Sequence, residues 1–332
     1  MKKSAFILTL LLITIGKLST AQSITVTGNI NDGKGSPLHD VFVADNDLKS
    51  AVFTDSLGNF TIEVPTGSKL QFQHEGYVDT LIAITNNTSL QFSIRPLGSG
   101  AGSAGTLTAN KTVSEQAQSA HTEGSDMSSL SNGSSIGGAG LAHKKGNVHG
   151  SRYLFEDFVH GFLVNSSNEI IYNQAYLFDY DKMGGALLIT KDKQSVVEAD
   201  RDQTNSFTLY SNTDQKIVFE KVPTIDAKHY VQVLTTGKKY AIYKTISTSF
   251  IKSDFINSGI TTHGNDYDEY VDEYVYYFFD VQSNQMQKIS LKKKALKAAF
   301  AKEADKVNKY FSDNTGDIDD NYVEGLGDYM NK

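Results

Sequence analysis

The sequence predicts a mainly β protein in two folded parts. These are an N-terminal seven-stranded β-sandwich and, after a flexible linker, a β-rich domain closed by a C-terminal helical hairpin. Three observations carry this expectation. The 332 residues hold 17 Tyr and 18 Phe against 4 Pro, a balance suited to aromatic-packed strands. Short alternating runs bounded by Gly, Asn, Asp and Pro recur through residues 23–96 and again from 151 to 284. Residues 98–150 contain 21 Gly or Ser and no Phe, Tyr or Trp, too little apolar surface to offset the entropy of ordering them.

Composition narrows the function classes. There is no cysteine, which excludes disulfides, cysteine metal centres and thiol nucleophiles. The net charge of −7 weighs against general nucleic-acid binding. Lys2 and Lys3, the apolar run Ala5 to Ile15, and the small residues Ser19 and Ala21 have the layout of a secretory signal peptide over residues 1–21. The apolar run is shorter than the roughly 20 residues needed to span a bilayer. Export without disulfides places the expected protein in the periplasm or at the outer-membrane surface of a Gram-negative bacterium.

The first folded part, residues 22–97, reads as seven short strands, with clear period-two alternation in Phe60–Val64 and Leu90–Ile94. So many short strands in so few residues must bury their faces in two sheets. The turns sit at Asn31-Asp32-Gly33, Gly35-Ser36-Pro37, Leu57-Gly58-Asn59 and Pro65-Thr66-Gly67. Three stretches carry a resemblance over residues 23–96. Thr27-Gly28 through Gly35-Ser36-Pro37-Leu38 to Val41-Phe42-Val43 resembles the opening of the carboxypeptidase regulatory-like domain. Thr54-Asp55-Ser56-Leu57-Gly58-Asn59-Phe60 is similar to its T-D-x-x-G-x-F hairpin, and Leu70 to Tyr77 to its L-x-F-x-x-x-G-Y strand. The resemblance implies a transthyretin-like sandwich with no catalytic residues of its own. In Bacteroidetes envelope proteins this family often precedes the barrel of TonB-dependent transporters; no plug or barrel pattern follows it here.

The second folded part, residues 151–332, reads as a continuous antiparallel sheet or open barrel, with strands expected at Phe158–Val164, Ile170–Asp179, Ala186–Thr190, Phe207–Tyr210, Ile217–Glu220, Tyr230–Leu234, Tyr240–Ile246 and Tyr274–Val281. Leu296, Phe300, Ala304, Val307 and Phe311 are spaced for one helical face, and Tyr322, Val323, Leu326, Tyr329 and Met330 for a second helix. Loosely, this part resembles uncharacterised secreted Bacteroidetes proteins, which implies no activity.

Chemistry-bearing patterns are sparse. The chain has no H-E-x-x-H, no helically spaced His pair, no G-x-S-x-G and no phosphate loop, and no cofactor is expected. Asp266, Asp268, Glu269, Asp272 and Glu273, interleaved with tyrosines, form the densest carboxylate cluster. Paired carboxylates beside aromatic platforms are what glycoside hydrolysis needs, but the segment also reads as a solvated acidic loop entering a strand. Asp313, Thr315, Asp317, Asp319, Asn321 and Glu324 fall at the ligand spacing of a twelve-residue calcium loop, with Ile318 where that loop needs glycine. Helix capping accounts for the same residues. Eight lysines between Lys288 and Lys309 follow a stretch, Ser253 to Gln287, without Lys or Arg. Such a basic helix can touch an anionic membrane or pair with the acidic segments beside it. The sum favours a non-enzymatic exported envelope protein, two domains on a tether, binding another envelope protein or a glycan. The alternatives are a carbohydrate-active or other hydrolase in residues 151–332 and an accessory to TonB-dependent uptake.

Overall fold

The computed structural model describes residues 23–47, 49–84, 88–98, 127–137, 148–257 and 261–332. The expected signal peptide and most of the expected linker lie outside them. The chain is mainly β, 47% strand against 13% helix, in several sheets followed by three C-terminal helices.

The first seven strands are β1 (Ser23–Asp32), β2 (Phe42–Asp45), β3 (Ala51–Phe53), β4 (Asn59–Pro65), β5 (Lys69–Gln73), β6 (Thr80–Ala83) and β7 (Ser89–Ile94). They make two sheets, ordered β4-β1-β7 and β3-β2-β5-β6. Alternation puts Val26, Ile30, Phe60 and Ile62 of one sheet into a common apolar core with Val43, Leu70 and Phe72 of the other. The β3–β4 turn shows how local sequence sets this register. The Asp55 carboxylate accepts the N–H groups of Leu57 at 2.9 Å and Asn59 at 2.7 Å. Gly58 adopts φ +75°, and a Cβ there would lie 2.3 Å from the Ile30 carbonyl oxygen, so only glycine fits.

The remaining strands are β8 (Ser131–Gly137), β9 (Val148–His149), β10 (Gly161–Asn165), β11 (Ile170–Ile171), β12 (Leu177–Asp181), β13 (Ala186–Thr190), β14 (Ser195–Ala199), β15 (Thr204–Tyr210), β16 (Lys216–Glu220), β17 (Val231–Thr236), β18 (Tyr240–Ile251), β19 (Ile256–Asn257), β20 (Thr262–His263), β21 (Asp268–Asp280) and β22 (Gln285–Ile289). The helices are α1 (Lys293–Ala299), α2 (Ala304–Asp313) and α3 (Asp320–Asn331).

A nine-stranded sheet runs β11-β10-β15-β16-β17-β18-β21-β22, with β9 alongside β21, and a separate four-stranded sheet runs β12-β13-β14-β8. The expectation of one continuous sheet is therefore corrected. Ile170–Asp179, read as a single strand, divides between the two sheets. The cause is local: Asn173 folds back to accept the N–H of Ala175 on its side chain and that of Tyr176 on its carbonyl. Leu163, Phe207, Leu209 and Phe219 of the large sheet pack against Phe178, Tyr180, Leu187 and Ile189 of the small one. Met127 joins this core, and β8 pairs with β14. Residues 127–137 are thus part of the fold, and the linker reading does not extend to them.

The helices cover Leu234, Tyr240, Ile242 and Phe278 with Leu296, Phe300, Val307, Phe311, Val323, Leu326 and Met330. The expected first helix is broken. After Phe300, at φ −95° and ψ 27°, a 3₁₀ turn at Ala301–Glu303 intervenes before α2, so the expected hairpin is three helices. The turn places Glu303 to accept from the Tyr240 hydroxyl at 3.0 Å. It also rotates Ala304, expected on the apolar face, out to solvent.

The two folded parts are not separate bodies on a tether. Phe162 and Leu163 are neighbours on β10 and so point to opposite faces. Leu163 enters the core with the small sheet, while Phe162 joins Ile170 and Tyr172 against Phe42, Ala44, Ala51 and Phe53 of the first part. Phe42 stacks on Tyr172 at 3.8 Å, and Phe53 meets Tyr210 edge-on at 5.0 Å. A polar rim closes the junction. Asp214 lies 2.6 Å from His39 Nε2 and accepts the Ser56 N–H at 3.0 Å, and Lys49 Nζ donates to the Asn168 carbonyl at 3.0 Å.

Candidate functional site

The acidic, tyrosine-rich segment is strand rather than loop: β21 pairs with β18 over twelve positions, from Tyr240↔Asp280 to Ile251↔Glu269. The acids come in adjacent pairs, Asp268-Glu269 and Asp272-Glu273, while the side chains of a strand alternate between its faces with a period of two. That period separates the candidate carboxylates, because Asp268 and Asp272 share one face and Glu269 and Glu273 the other. Asp268 accepts the Ser253 N–H at 2.8 Å. Asp272 is held by Lys182 Nζ at 2.7 and 2.9 Å, by the Thr248 hydroxyl at 2.6 Å and by the Tyr274 hydroxyl at 3.0 Å. Burial alone would raise the Asp272 carboxyl, but the Lys182 ammonium and the Thr248 hydroxyl hold it below the ordinary range. An acid pinned in its ionised form by a neighbouring cation is poorly suited to deliver a proton. Asp266 precedes the strand. These five residues are not brought together as an acid and base flanking one bond.

The calcium-spaced residues are distributed along the α2–α3 connection. Asp313 pairs with Lys309 at 2.8 Å. Asp319 is the N-cap of α3, its side chain accepting the Tyr322 N–H at 2.9 Å. Asn321 and Glu324 lie within α3 itself, Thr315 and Asp317 in the turn before it. Among the described residues no three His, Asp or Glu side chains are grouped as a metal site would require.

The basic segment is largely engaged within the molecule. Lys302, Lys306 and Lys309 pair with Asp280, Glu303 and Asp313. Lys288 lies over the Tyr277 ring, and Lys293 and Lys297 lie over Phe311. Among the described residues no helix is long and apolar enough to cross a membrane.

A concavity lies where the two folded parts meet. It is a cleft of about 550 Å³ between β3 and β4 on one side, the β16 and β17 strands at its floor, and α3 on the far side. Its size falls within the roughly 300–1,000 Å³ typical of ligand sites. The pairing of β16 with β17 covers Val218 to Glu220 only, so among the described residues Lys216 and Ile217 pair with no strand on the β17 side, and the cleft opens there. Charged side chains from distant parts of the chain converge on it: Lys49 and Glu63 from the first part, Lys216 from β16, and Asp320, Glu324 and Asp328 from α3. Asp320 is satisfied by Lys244 Nζ at 2.5 Å and the Tyr276 hydroxyl at 2.8 Å. Desolvation by the cleft walls lowers Lys216, although the residue as a whole stays exposed, and Glu324 is the charged neighbour that opposes the shift. Desolvation, with the Asp328 charge nearby, raises Glu324. Sequence reasoning missed this site, because Glu63, Lys216 and Glu324 share no motif and come from β4, β16 and α3, far apart in the chain.

No protein-family model matches the chain, and neither a curated protein nor a solved structure matches it.

Proposed function

We propose that the chain is a non-enzymatic, exported envelope protein whose role is binding, with the junction cleft as its binding site. The observation that carries the proposal is the cleft itself, which exists only when both folded parts are docked and which collects charged groups from three regions of the chain. The pinning of Asp272 by Lys182 and the separation of Glu269 and Glu273 onto the opposite strand face argue against hydrolysis at the acidic strand. On this reading the first seven strands form a transthyretin-like sandwich of the carboxypeptidase regulatory-like kind, serving as one wall of the site. The Asp55–Gly58 turn, and the placement of Gly28 under the Phe60 ring where a Cβ would lie 2.3 Å from it, support the sandwich assignment. Export rests on the basic and apolar N-terminal pattern.

The test is thermal unfolding of the full chain against separate classes of small polar ligand: oligosaccharides, amino acids, short peptides and nucleotides. A ligand of the native cleft raises Tm by mass action. The expected result is a rise of several degrees with one class, lost in Glu324→Gln, with the ligand recovered chemically intact. Turnover of a ligand that is abolished by Asp272→Asn would overturn the proposal in favour of a hydrolase.

A further inference from the structure

Strands line the cleft in an unusual way: Ser50-Ala51-Val52 and Thr61-Ile62-Glu63 line it as consecutive residues. Side chains alternate across a strand, so consecutive residues face one space only where the main-chain edge itself faces it. The buried side chains of Ala51 and Ile62 belong to apolar cores. What these residues offer the cleft is backbone.

Both strands are sheet edges. β3 ends one sheet and β4 ends the other, and no other strand among the described residues pairs with them on the outer side. Hydrogen-bonded and non-bonded pairs alternate along an antiparallel ladder. The Ile30 N–H bonds to the Gly58 carbonyl. In the β1–β4 register this makes Gly28/Phe60 and Val26/Ile62 the bonded pairs, and the N–H and C=O groups of Thr61 and Glu63 point outward. The bonds from Asp45 N–H to the Ser50 carbonyl and from Thr54 N–H to the Val41 carbonyl turn the main-chain groups of Ala51 outward by the same logic. An exposed edge of this kind is a template for an added strand.

Charge selects the occupant. Among the described residues Glu63, Glu324 and Asp328 line the cleft without an ion pair to Lys or Arg; Asp320 is matched by Lys244, Lys49 is turned onto the Asn168 carbonyl, and Lys216 near Glu324 is the one further cation of the lining. The excess is negative. Resting on the cleft as the binding site, we infer that it takes an extended, basic segment of another polypeptide, which adds as a strand along β4, bonds to Thr61 and Glu63 through its main chain, and sets Lys or Arg side chains against Glu63, Glu324 and Asp328.

Fluorescence anisotropy with the full chain and a labelled eight-residue peptide alternating Lys and Val tests this. The expected result is saturable binding that weakens at least tenfold when Lys is replaced by Glu in the peptide. Binding should also weaken at least tenfold when alternate peptide amides are N-methylated, a change that removes main-chain donors without altering the protein. Thr61→Pro, which removes one outward N–H at an edge position where proline is tolerated, and Glu324→Gln should each weaken binding at least fivefold. Equal binding of the Lys and Glu peptides, or indifference to N-methylation, would overturn the inference. So would a Tm rise with maltotriose, lost in Glu324→Gln, in a chain that binds no peptide; that outcome would leave the cleft standing as a binding site. Failure of every ligand class would overturn both the occupant and the site.

Discussion

Two very different covers lie on the nine-stranded sheet. The C-terminal helices shield Tyr240, Ile242 and Phe278, and the first seven strands shield Phe162 and Ile170 on the opposite face of β10. Both contacts are aromatic at the centre: Phe300 meets Tyr240 and Phe278 edge-on at 5.0 and 4.9 Å, and Phe42 stacks on Tyr172 at 3.8 Å. They differ at the margins. The helical cover is closed over its apolar face, with Leu296, Phe300, Val323, Leu326 and Met330 fully buried, and borders the cleft only with polar residues of α3. The N-terminal cover leaves a cleft along its edge. Helices present a continuous apolar stripe that can seal a sheet surface, whereas the edge of a docked sheet cannot fold over its neighbour. The sealed cover serves stability and the unsealed one leaves room for a ligand.

The largest expected effect falls on the sealed side. Phe300→Ala should cost about 3–5 kcal/mol, the usual range for truncating a buried Phe, read from urea unfolding of the full chain. Phe42→Ala should follow at about 3 kcal/mol, because the aromatic stack is lost while the open margin lets the junction collapse partly into the space. It should also release the first part, so that small-angle scattering reports a larger maximum dimension. If Phe42→Ala unfolds as the wild type does and keeps its dimensions, the docking is not what organises the cleft.

Legibility follows the same divide. Phe60–Val64, Leu90–Ile94 and the stripe through Leu296, Val307 and Phe311 carry their burial in local periodicity, and the structure buries those residues where the periodicity puts them. Phe42 to Asp45 is different, because all four residues of β2 are buried. A strand covered on both faces has no alternation to read, so the docking surface formed by Phe42, Ala44, Ala51 and Phe53 was invisible. The acidic strand misled in the opposite sense. Its charge suggested a solvated loop, yet Asp272 is balanced by Lys182, ninety positions away. The break after Phe300 was illegible for a related reason: it is fixed by Glu303 reaching Lys239 and Tyr240 across the core.

A pH experiment sharpens the comparison, because its main titrating group lies beneath neither cover. Asp179 is buried in the small sheet, and burial pushes its carboxyl up to about 7, against an ordinary value of 3.8. The native chain therefore keeps a proton that the unfolded chain releases. The stability this group contributes is full below pH 3.8 and is lost as pH rises through about 7. Between pH 5 and 7 the loss is at most about 2–3 kcal/mol, at roughly 1.4 kcal/mol per unit. Asp280, held low by Lys302 beneath the helices, and Asp214, where burial is outweighed by the Ser56 N–H and His39 at the junction, act oppositely. Their contributions are present above the ordinary carboxylate range and are lost in acid. Stability should thus peak between about pH 4 and 6, and Asp179→Asn should flatten the decline from pH 5 to 7 in a series of urea titrations. An unchanged slope in that variant would remove Asp179 as the cause.

The smallest effect is expected on the lysines of the helical cover, where it decides between two uses of that region. Lys292 precedes α1, and Lys293 and Lys294 occupy its first turn, which carries no acidic residue. Positive charge at a helix N-terminus opposes the backbone dipole. Reversing all three to Glu removes that repulsion, while the contact of Lys293 with the Phe311 ring, 5.2 Å from its centroid, is lost. The two changes have opposite signs, and exposed charges contribute about 0–1 kcal/mol each, so the net shift should stay within about 1 kcal/mol. If the segment is structural, the wild-type chain and the triple variant will both remain in the supernatant when sedimented with vesicles containing anionic lipid. Co-sedimentation of the wild type that is lost in the variant, with unfolding unchanged, would make the helical cover a membrane-contact surface. The division between a sealed stabilising face and an open binding face would then fail on its sealed side.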